Sequence, residues 1–289
     1  MFKIGLKTFC VIGHPIGHTL SPAIHQTVYE ALGMDFKYTA VHVLPENLSD
    51  FVAEVHKTEC PGFNVTIPYK EAIIPFLDDV HPSATHIGAV NTVKQENGAL
   101  KGFNTDVFGM MEALKRGGWT PKGKVICLGA GGAARAAVEA MNLMGVKALI
   151  LFDVIQERVH NLVCDFQRQL SMDIIEGDIK TDLIRYLPEV NLLINATPVG
   201  MWPNSDRSPV SGLDRIASGA TVFDLVYKPL KTRLMREAEQ QGCKIISGLG
   251  MLIAQALAAD EIWFNQKMPE GIFEGIQEKL RSQFEIMQD

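Results

Sequence analysis

The chain has 289 residues, of which 47% are hydrophobic and 21% charged, a globular composition that argues against wholesale disorder. That length suggests about two domains. Lys plus Arg number 27 against 33 Asp plus Glu, a net charge of −6, which argues against a nucleic-acid partner because phosphate binding needs a basic face.

The first predicted strand is Phe9-Cys10-Val11-Ile12, followed by a Gly/Pro/His loop and a helix that starts at Ser21 and stops at Gly33. Tyr38 to Val43 reads as a strand, Pro45 to Lys57 as a helix, and Phe63 to Ile67 as another strand. This alternation predicts an α/β domain with parallel strands. Val90 to Phe103 departs from it and reads as a hairpin turned at Glu96-Asn97-Gly98, since Asn-Gly supplies positive φ values.

A second α/β series starts near Lys124. Val125 to Leu128 is a buried strand that runs into Gly129-Ala130-Gly131-Gly132. A small-residue helix from Ala133 to Met144 ends at Gly145, and the strand Ala148 to Phe152 finishes at Asp153. Leu192 to Asn195, Thr221 to Val226 and Lys244 to Ile246 are further strands. The tail from Leu252 reads as two helices broken around Pro269.

The five cysteines (Cys10, Cys60, Cys127, Cys164, Cys243) include no Cys-x-x-Cys pair. They point away from a disulfide framework or zinc ribbon and toward a reducing cytoplasm. Met1 to Gly5 lacks the features of a signal peptide, and the uncharged run Ile245 to Ala259 falls short of the roughly 20 apolar residues of a membrane span. A cytoplasmic protein with no membrane partner is expected.

Three constellations carry chemistry. The Gly129 turn lies between a strand and a helix, where small residues let a pyrophosphate approach backbone N–H groups at a helix N-terminus. Ala134 stands where the common pattern has its third glycine. Asp153, at the end of the next strand, suits an adenosine ribose. A plain structural turn and an ordinary strand-end aspartate are the alternatives. The second constellation joins Gly62 to Glu71, where Lys70 is either functional or a solvated helix-start lysine, with Gly102 to Asp106, whose polar residues also make good helix caps. The third is the loop Gly13 to Pro22. Thr19 and Ser21 suit a small carboxylate, although Ser21 could equally cap the helix, while Pro and Gly between His14 and His18 disfavour a metal site.

Together these segments resemble the shikimate/quinate dehydrogenase family across essentially the whole chain. The matching motifs are Ile12 to Pro22, Gly62 to Lys70, Gly88 to Thr92, Gly102 to Asp106, the Gly129 turn, Asn195 to Met201, Asp224 to Pro229 and Gly248 to Leu252. The resemblance implies reversible oxidation of shikimate, or quinate, to its 3-dehydro ketone, with hydride passing to a nicotinamide cofactor. It implies an α/β fold in two domains. The substrate domain would be 1–105 plus the returning helices from 249, the Rossmann domain would be 106–248, and the active site would lie in the cleft between them.

By the same resemblance Lys70 and Asp106 are the catalytic pair. Thr19 and Ser21 hold the substrate carboxylate, and Asn64, Thr66, Asn91, Thr105, Tyr227 and Gln255 hold the carboxylate or ring hydroxyls. Gly129, Ala130, Gly131, Gly132, Ala133, Asp153, Arg158 and Thr197 face the cofactor, with Gly248 and Met251 beside the nicotinamide, and no metal is implied. The family usually has Ser at Thr19, so the added methyl bears on the choice between shikimate and quinate.

NADP-dependent members carry Asn-Arg-Thr where this chain reads Asp153-Val154-Ile155. A carboxylate repels the 2′-phosphate and Val154 cannot replace the cation, so NAD is expected over NADP, with Arg158 as the residue that could favour NADP. The partner is a small molecule, and the state a monomer or homodimer. The competing readings are a quinate-preferring enzyme, a paralogue acting on an aminated analogue, and a non-catalytic nucleotide-binding regulator. A short-chain dehydrogenase with a Tyr-x-x-x-Lys pair is not expected, on the reading that Tyr186, Tyr227 and the other tyrosines lack a lysine four residues on.

Overall fold

The computed structural model describes residues 7–17, 19–166 and 169–286. Its elements begin with β1 (Thr8–Gly13), α1 (Ser21–Ala31), β2 (Lys37–His42), α2 (Leu48–Lys57), β3 (Gly62–Val65), β4 (Asp79–Val80), α3 (Pro82–Thr85), β5 (Thr92–Glu96) and β6 (Ala99–Phe103). They continue with α4 (Asp106–Arg116), β7 (Lys124–Leu128), α5 (Gly132–Leu143), β8 (Ala148–Phe152), α6 (Gln156–Phe166), β9 (Asp173–Glu176), α7 (Leu183–Tyr186) and β10 (Val190–Asn195). Last come β11 (Thr221–Asp224), α8 (Arg233–Gln240), β12 (Lys244–Ser247), α9 (Gly248–Phe264) and α10 (Ile272–Ile286). The chain divides into two compact units, 1–106 with 252–289, and 107–251. Among the described residues no helix is long and apolar enough to cross a membrane.

The first unit holds a mixed sheet in the order β2-β1-β3-β5-β6-β4. β1 pairs parallel with both β2 and β3, as the strand–helix alternation predicts. The hairpin then joins antiparallel to β3, with Asn97 and Gly98 at φ 53° and 82° in its turn. β1 is covered on both faces, which is why it reads as an unbroken apolar run. Cys10 and Ile12 face Phe51, Val52 and Val55 of α2, while Phe9 meets Tyr29 of α1 and Trp263 of α9, the latter with ring centroids 4.4 Å apart.

The second unit holds a wholly parallel sheet in the order β12-β11-β10-β7-β8-β9. Numbered from β7 this is 3-2-1-4-5-6, the doubly wound dinucleotide-binding order. Its switch point lies between β7 and β10, where Leu128 and Asn195 are register partners at the carboxyl ends.

Several details differ from the sequence expectation, β3 ending at Val65 before the expected Ile67 and α2 starting at Leu48 after the expected Pro45 among them. β9 is an additional edge strand, too short and too exposed to give a pattern. β11 stops at Asp224, because the Asp224 carboxylate accepts the Val226 N–H (3.1 Å) and turns the chain. α9 starts at Gly248, four residues before Leu252, so the Gly-Leu-Gly segment is the first turn of a helix and not a loop.

Candidate active site

β3 ends at Val65, and the chain turns through Pro68, with the Tyr69 N–H bonded to the Thr66 carbonyl (2.8 Å) and the Tyr69 hydroxyl donating to the Val43 carbonyl (2.6 Å). Lys70 follows in this turn, not at a helix start. Its carbonyl accepts the Val90 N–H (2.7 Å), and its ammonium lies 2.6 Å from Asp106 Oδ2, with side chains 15% and 6% exposed. The solvated-lysine reading is thereby replaced by a shielded ion pair. Asp106 opens α4, where the helix N-terminus favours a carboxylate. Asn104 shapes that opening, since its Oδ1 accepts the Asp106 N–H (2.9 Å).

Asn91 is the hub behind the pair. Its amide nitrogen faces Asp106 Oδ1 (3.0 Å), Thr105 Oγ1 (2.9 Å) and Gln255 Oε1 (3.3 Å). Its Oδ1 accepts the Thr105 N–H (2.8 Å) and the Thr92 hydroxyl (2.9 Å). Asn64 joins through its own amide nitrogen, which donates to the Asn91 carbonyl and Thr92 Oγ1, both at 3.0 Å. Lys70, Asp106, Asn64, Asn91, Thr105 and Gln255 thus share one hydrogen-bonded network.

Thr19 and Ser21 pair with each other. The Thr19 hydroxyl donates to Ser21 Oγ (3.1 Å) and accepts the Ser21 N–H (3.2 Å). Ser21 is the first residue of α1, after Leu20, so it does not cap the helix. Thr66 is half-buried, and its backbone N–H bonds to the Ile12 carbonyl (2.9 Å). His14 Nδ1 lies 2.6 Å from His42 Nε2, and His18 falls outside the described residues.

In the second unit Gly129 has φ 103°, and a Cβ there would meet the Ala196 carbonyl oxygen at 3.0 Å, so both conformation and space require glycine. A Cβ at Gly131 would meet nothing within 4 Å. Gly131 is the N-cap of α5, followed by Gly132 and Ala133, so no side chain at the cap crowds this helix N-terminus, which fits a diphosphate. Ala134 is fully buried, consistent with close helix–strand packing.

Asp153 is half-buried. Its Oδ2 accepts the Ala130 N–H (2.8 Å) and its Oδ1 the Ile155 N–H (2.9 Å). Val154 is 82% exposed beside it, and Arg158 is exposed on the first turn of α6. Thr197 is held by Asn195, whose Oδ1 accepts its hydroxyl at 2.6 Å. These groups fit a nicotinamide dinucleotide.

Gly248 has a packing reason of its own, because a Cβ there would lie 2.2 Å from the Leu225 carbonyl oxygen. Met251 is buried one turn on. Tyr227 belongs to this second unit and is half-buried after β11. Contrary to the sequence expectation it does have a lysine four residues on, Lys231. The two are not an active Tyr-x-x-x-Lys pair, because residues 225–231 form no helix and the Lys231 ammonium is paired with Glu239.

Two participants went unnoticed in the sequence. The Tyr38 hydroxyl donates to Asn64 Oδ1 (2.6 Å), and the residue read only as an aromatic strand position. Asp224 accepts from Asn195 Nδ2 (2.8 Å) and the Thr232 hydroxyl (2.5 Å), and burial pushes its carboxyl up to about 6. Its place in the Asp224 to Pro229 segment was the available signal.

Comparison with known proteins gives a consistent answer. Residues 11–93 match the model of the shikimate dehydrogenase substrate binding domain, and residues 248–275 that of the shikimate 5'-dehydrogenase C-terminal domain. Shikimate dehydrogenase (NADP(+)) of Methanothermobacter thermautotrophicus is 37% identical over 91% of this chain and 93% of its own. The crystal structure of shikimate 5-dehydrogenase from Listeria monocytogenes in complex with shikimate and NAD aligns with TM-score 0.85 at 35% identity, covering 97% of this chain and 99% of that one. That of the Thermus thermophilus enzyme in complex with NADP(H) and shikimate aligns with TM-score 0.83 at 37% identity, covering 94% and 99%.

Proposed function

The chain belongs to the shikimate dehydrogenase family of NAD(P)-dependent oxidoreductases acting on a CH–OH group, and from that premise we propose that it interconverts shikimate and its 3-dehydro ketone with NAD as the preferred partner. The observation that carries this reading is the Lys70–Asp106 pair at 2.6 Å, shielded from solvent and anchored to Asn91. A regulator that only bound nucleotide would have no use for such a pair.

When bound, the nicotinamide supplies the site that accepts or returns hydride. The chain's own residues manage the proton. As hydride leaves the ring carbon, the hydroxyl proton must leave as well, or positive character builds on that carbon. Lys70 Nζ takes that proton in oxidation as the neutral amine, and as the ammonium it gives it to the developing alkoxide in reduction. Asp106 orients the ammonium, and Asn91 holds Asp106.

Thr19 and Ser21 take the carboxylate, while Asn64, Thr66, Thr105 and Gln255 take the rest of the substrate. The first unit is thus the substrate domain. The second is assigned to the dinucleotide through the Gly129 turn, Thr197, Gly248 and Met251.

NAD preference is supported by Asp153 and by the exposed Val154, since residues 153–155 offer a 2′-phosphate a negative charge and no cation. The relative from Methanothermobacter is named for NADP, and the Listeria structure contains NAD. The unpaired thiols of the chain support a reducing cytoplasm.

The deciding experiment crosses shikimate and quinate with NAD and NADP and follows initial rates by the absorbance of the reduced nicotinamide. Turnover fastest with shikimate and NAD is expected. Activity with NADP alone would overturn the cofactor reading, a quinate preference would overturn the substrate, and silence in all four would overturn the enzyme.

A further inference from the structure

Asn64 has little freedom in how it can meet a ligand. Its amide nitrogen lies 3.0 Å from the Asn91 carbonyl, which can only accept, and 3.0 Å from Thr92 Oγ1. Both amide hydrogens are therefore committed within the protein. The side-chain oxygen must then be the end that faces Tyr38, whose hydroxyl donates to it at 2.6 Å. A carbonyl oxygen has two lone pairs, so one remains.

Tyr38 is itself held from behind. Its ring stacks on His25, with centroids 4.1 Å apart and planes 10° apart. His25 Nδ1 lies 2.9 Å from both carboxylate oxygens of Asp260, and both side chains are fully buried. The ring of Tyr38 is thus set by α1 and α9 together, while its hydroxyl reaches from β2 across to β3.

We propose that Tyr38 is a positioning residue for the substrate site: by holding Asn64 Oδ1 in place it aims the oxygen's remaining lone pair, which takes a substrate hydroxyl as donor. The inference rests on the assignment of Asn64 to the substrate. It extends that assignment by one residue and fixes the polarity of the contact. Without the Tyr38 hydroxyl, Asn64 Oδ1 loses the donor that fixes its aim, while the Asn91 carbonyl and Thr92 Oγ1 still hold the amide nitrogen. A poorly aimed acceptor weakens binding without touching proton or hydride transfer.

The test is a double-mutant cycle with Tyr38→Phe and Asn64→Ala, reading kcat, the KM for shikimate, the KM for the nicotinamide cofactor and the melting temperature. Y38F keeps the stacked ring and removes one oxygen. It is expected to raise the KM for shikimate about five- to tenfold, the equivalent of one hydrogen bond, with kcat within a factor of two and the cofactor KM unchanged. In the N64A background the same change should have no further effect on KM.

An equal Y38F penalty in both backgrounds, or a fall in kcat with KM unmoved, would show a general packing role and overturn the proposal. If N64A raises KM while Y38F alone does nothing, the positioning role fails and the Asn64 assignment stands. If N64A leaves KM unchanged, the assignment beneath fails and the proposal falls with it.

Discussion

Asp153 Oδ2 accepts the backbone N–H of Ala130 at 2.8 Å, so the carboxylate proposed to read the ribose is also the group that braces the glycine turn. The strand-end and ribose readings of this residue are therefore compatible. Two carboxylate oxygens offer about four acceptor sites, and the Ala130 and Ile155 N–H groups occupy two of them.

The double variant Asp153→Asn with Val154→Arg replaces a repelling charge with a bidentate cation. The ratio of kcat/KM for NADP over NAD should rise at least about tenfold. Loss of a charged acceptor from the turn should also cost about 1 kcal/mol of stability. An unchanged cofactor ratio would show that residues 153 and 154 do not face the adenosine end.

Lys70→Ala removes the proton-transfer group and leaves Asp106 without its cation. Turnover should fall by about 10² to 10⁴, while shikimate binding, followed by calorimetry, persists. The uncompensated carboxylate should also lower stability, on the order of 3 kcal/mol. A kcat near that of the parent protein would remove Lys70 from the mechanism.

Asp224 predicts a pH dependence of stability. Burial raises its carboxyl from an ordinary 3.8 to about 6 in the folded state, so the fold binds this proton more tightly than the unfolded chain does. The contribution is fully present below about pH 4 and is lost as pH rises toward 6. Asp224→Asn is neutral throughout and nearly isosteric. The stability of the variant relative to the parent should therefore climb by about 2 to 3 kcal/mol between pH 4 and pH 7. Parallel urea midpoints across that range would show that Asp224 is not the responsible group.

Gly248→Ala tests whether packing alone dictates the residue. A methyl group would lie 2.2 Å from the Leu225 carbonyl oxygen, and the obstacle is backbone. A loss of about 1 to 3 kcal/mol is expected with no ligand present. Unchanged chemical denaturation would assign this glycine to the nicotinamide instead.

Much of this was legible in the sequence where short-range chemistry decides the outcome. Asn97-Gly98 specified its turn because few residue pairs accept two positive φ values. The apolar run at Phe9 to Ile12 specified a strand covered on both faces. The Gly129 turn announced itself by composition and by its place between strand and helix.

What stayed hidden were relationships between residues distant in sequence. Nothing near Tyr38 shows that its hydroxyl ends on Asn64, 26 positions away. Residues 173–176 lack an apolar pattern because β9 is an edge strand. The start of α9 was misplaced because glycines argue against a helix, whereas here Gly248 is imposed by a close approach that no local rule contains. The lysine four positions after Tyr227 shows the opposite danger, a spacing without the helix that would give it meaning.

The hairpin of β5 and β6 pairs Thr92 with Phe103 and Glu96 with Ala99, so Asn91 and Thr105 sit at its open end like the jaws of a caliper. The jaw setting is fixed by strand parity: a slip of one residue would turn every side chain beyond it to the other face, taking Asn91 out of reach of Asp106. The arms can lengthen or shorten as matched pairs at the tip while the gap at the base stays constant. The reactive pair is thus gauged by a ruler whose far end lies at the protein surface, where sequence is free to drift so long as it drifts in twos.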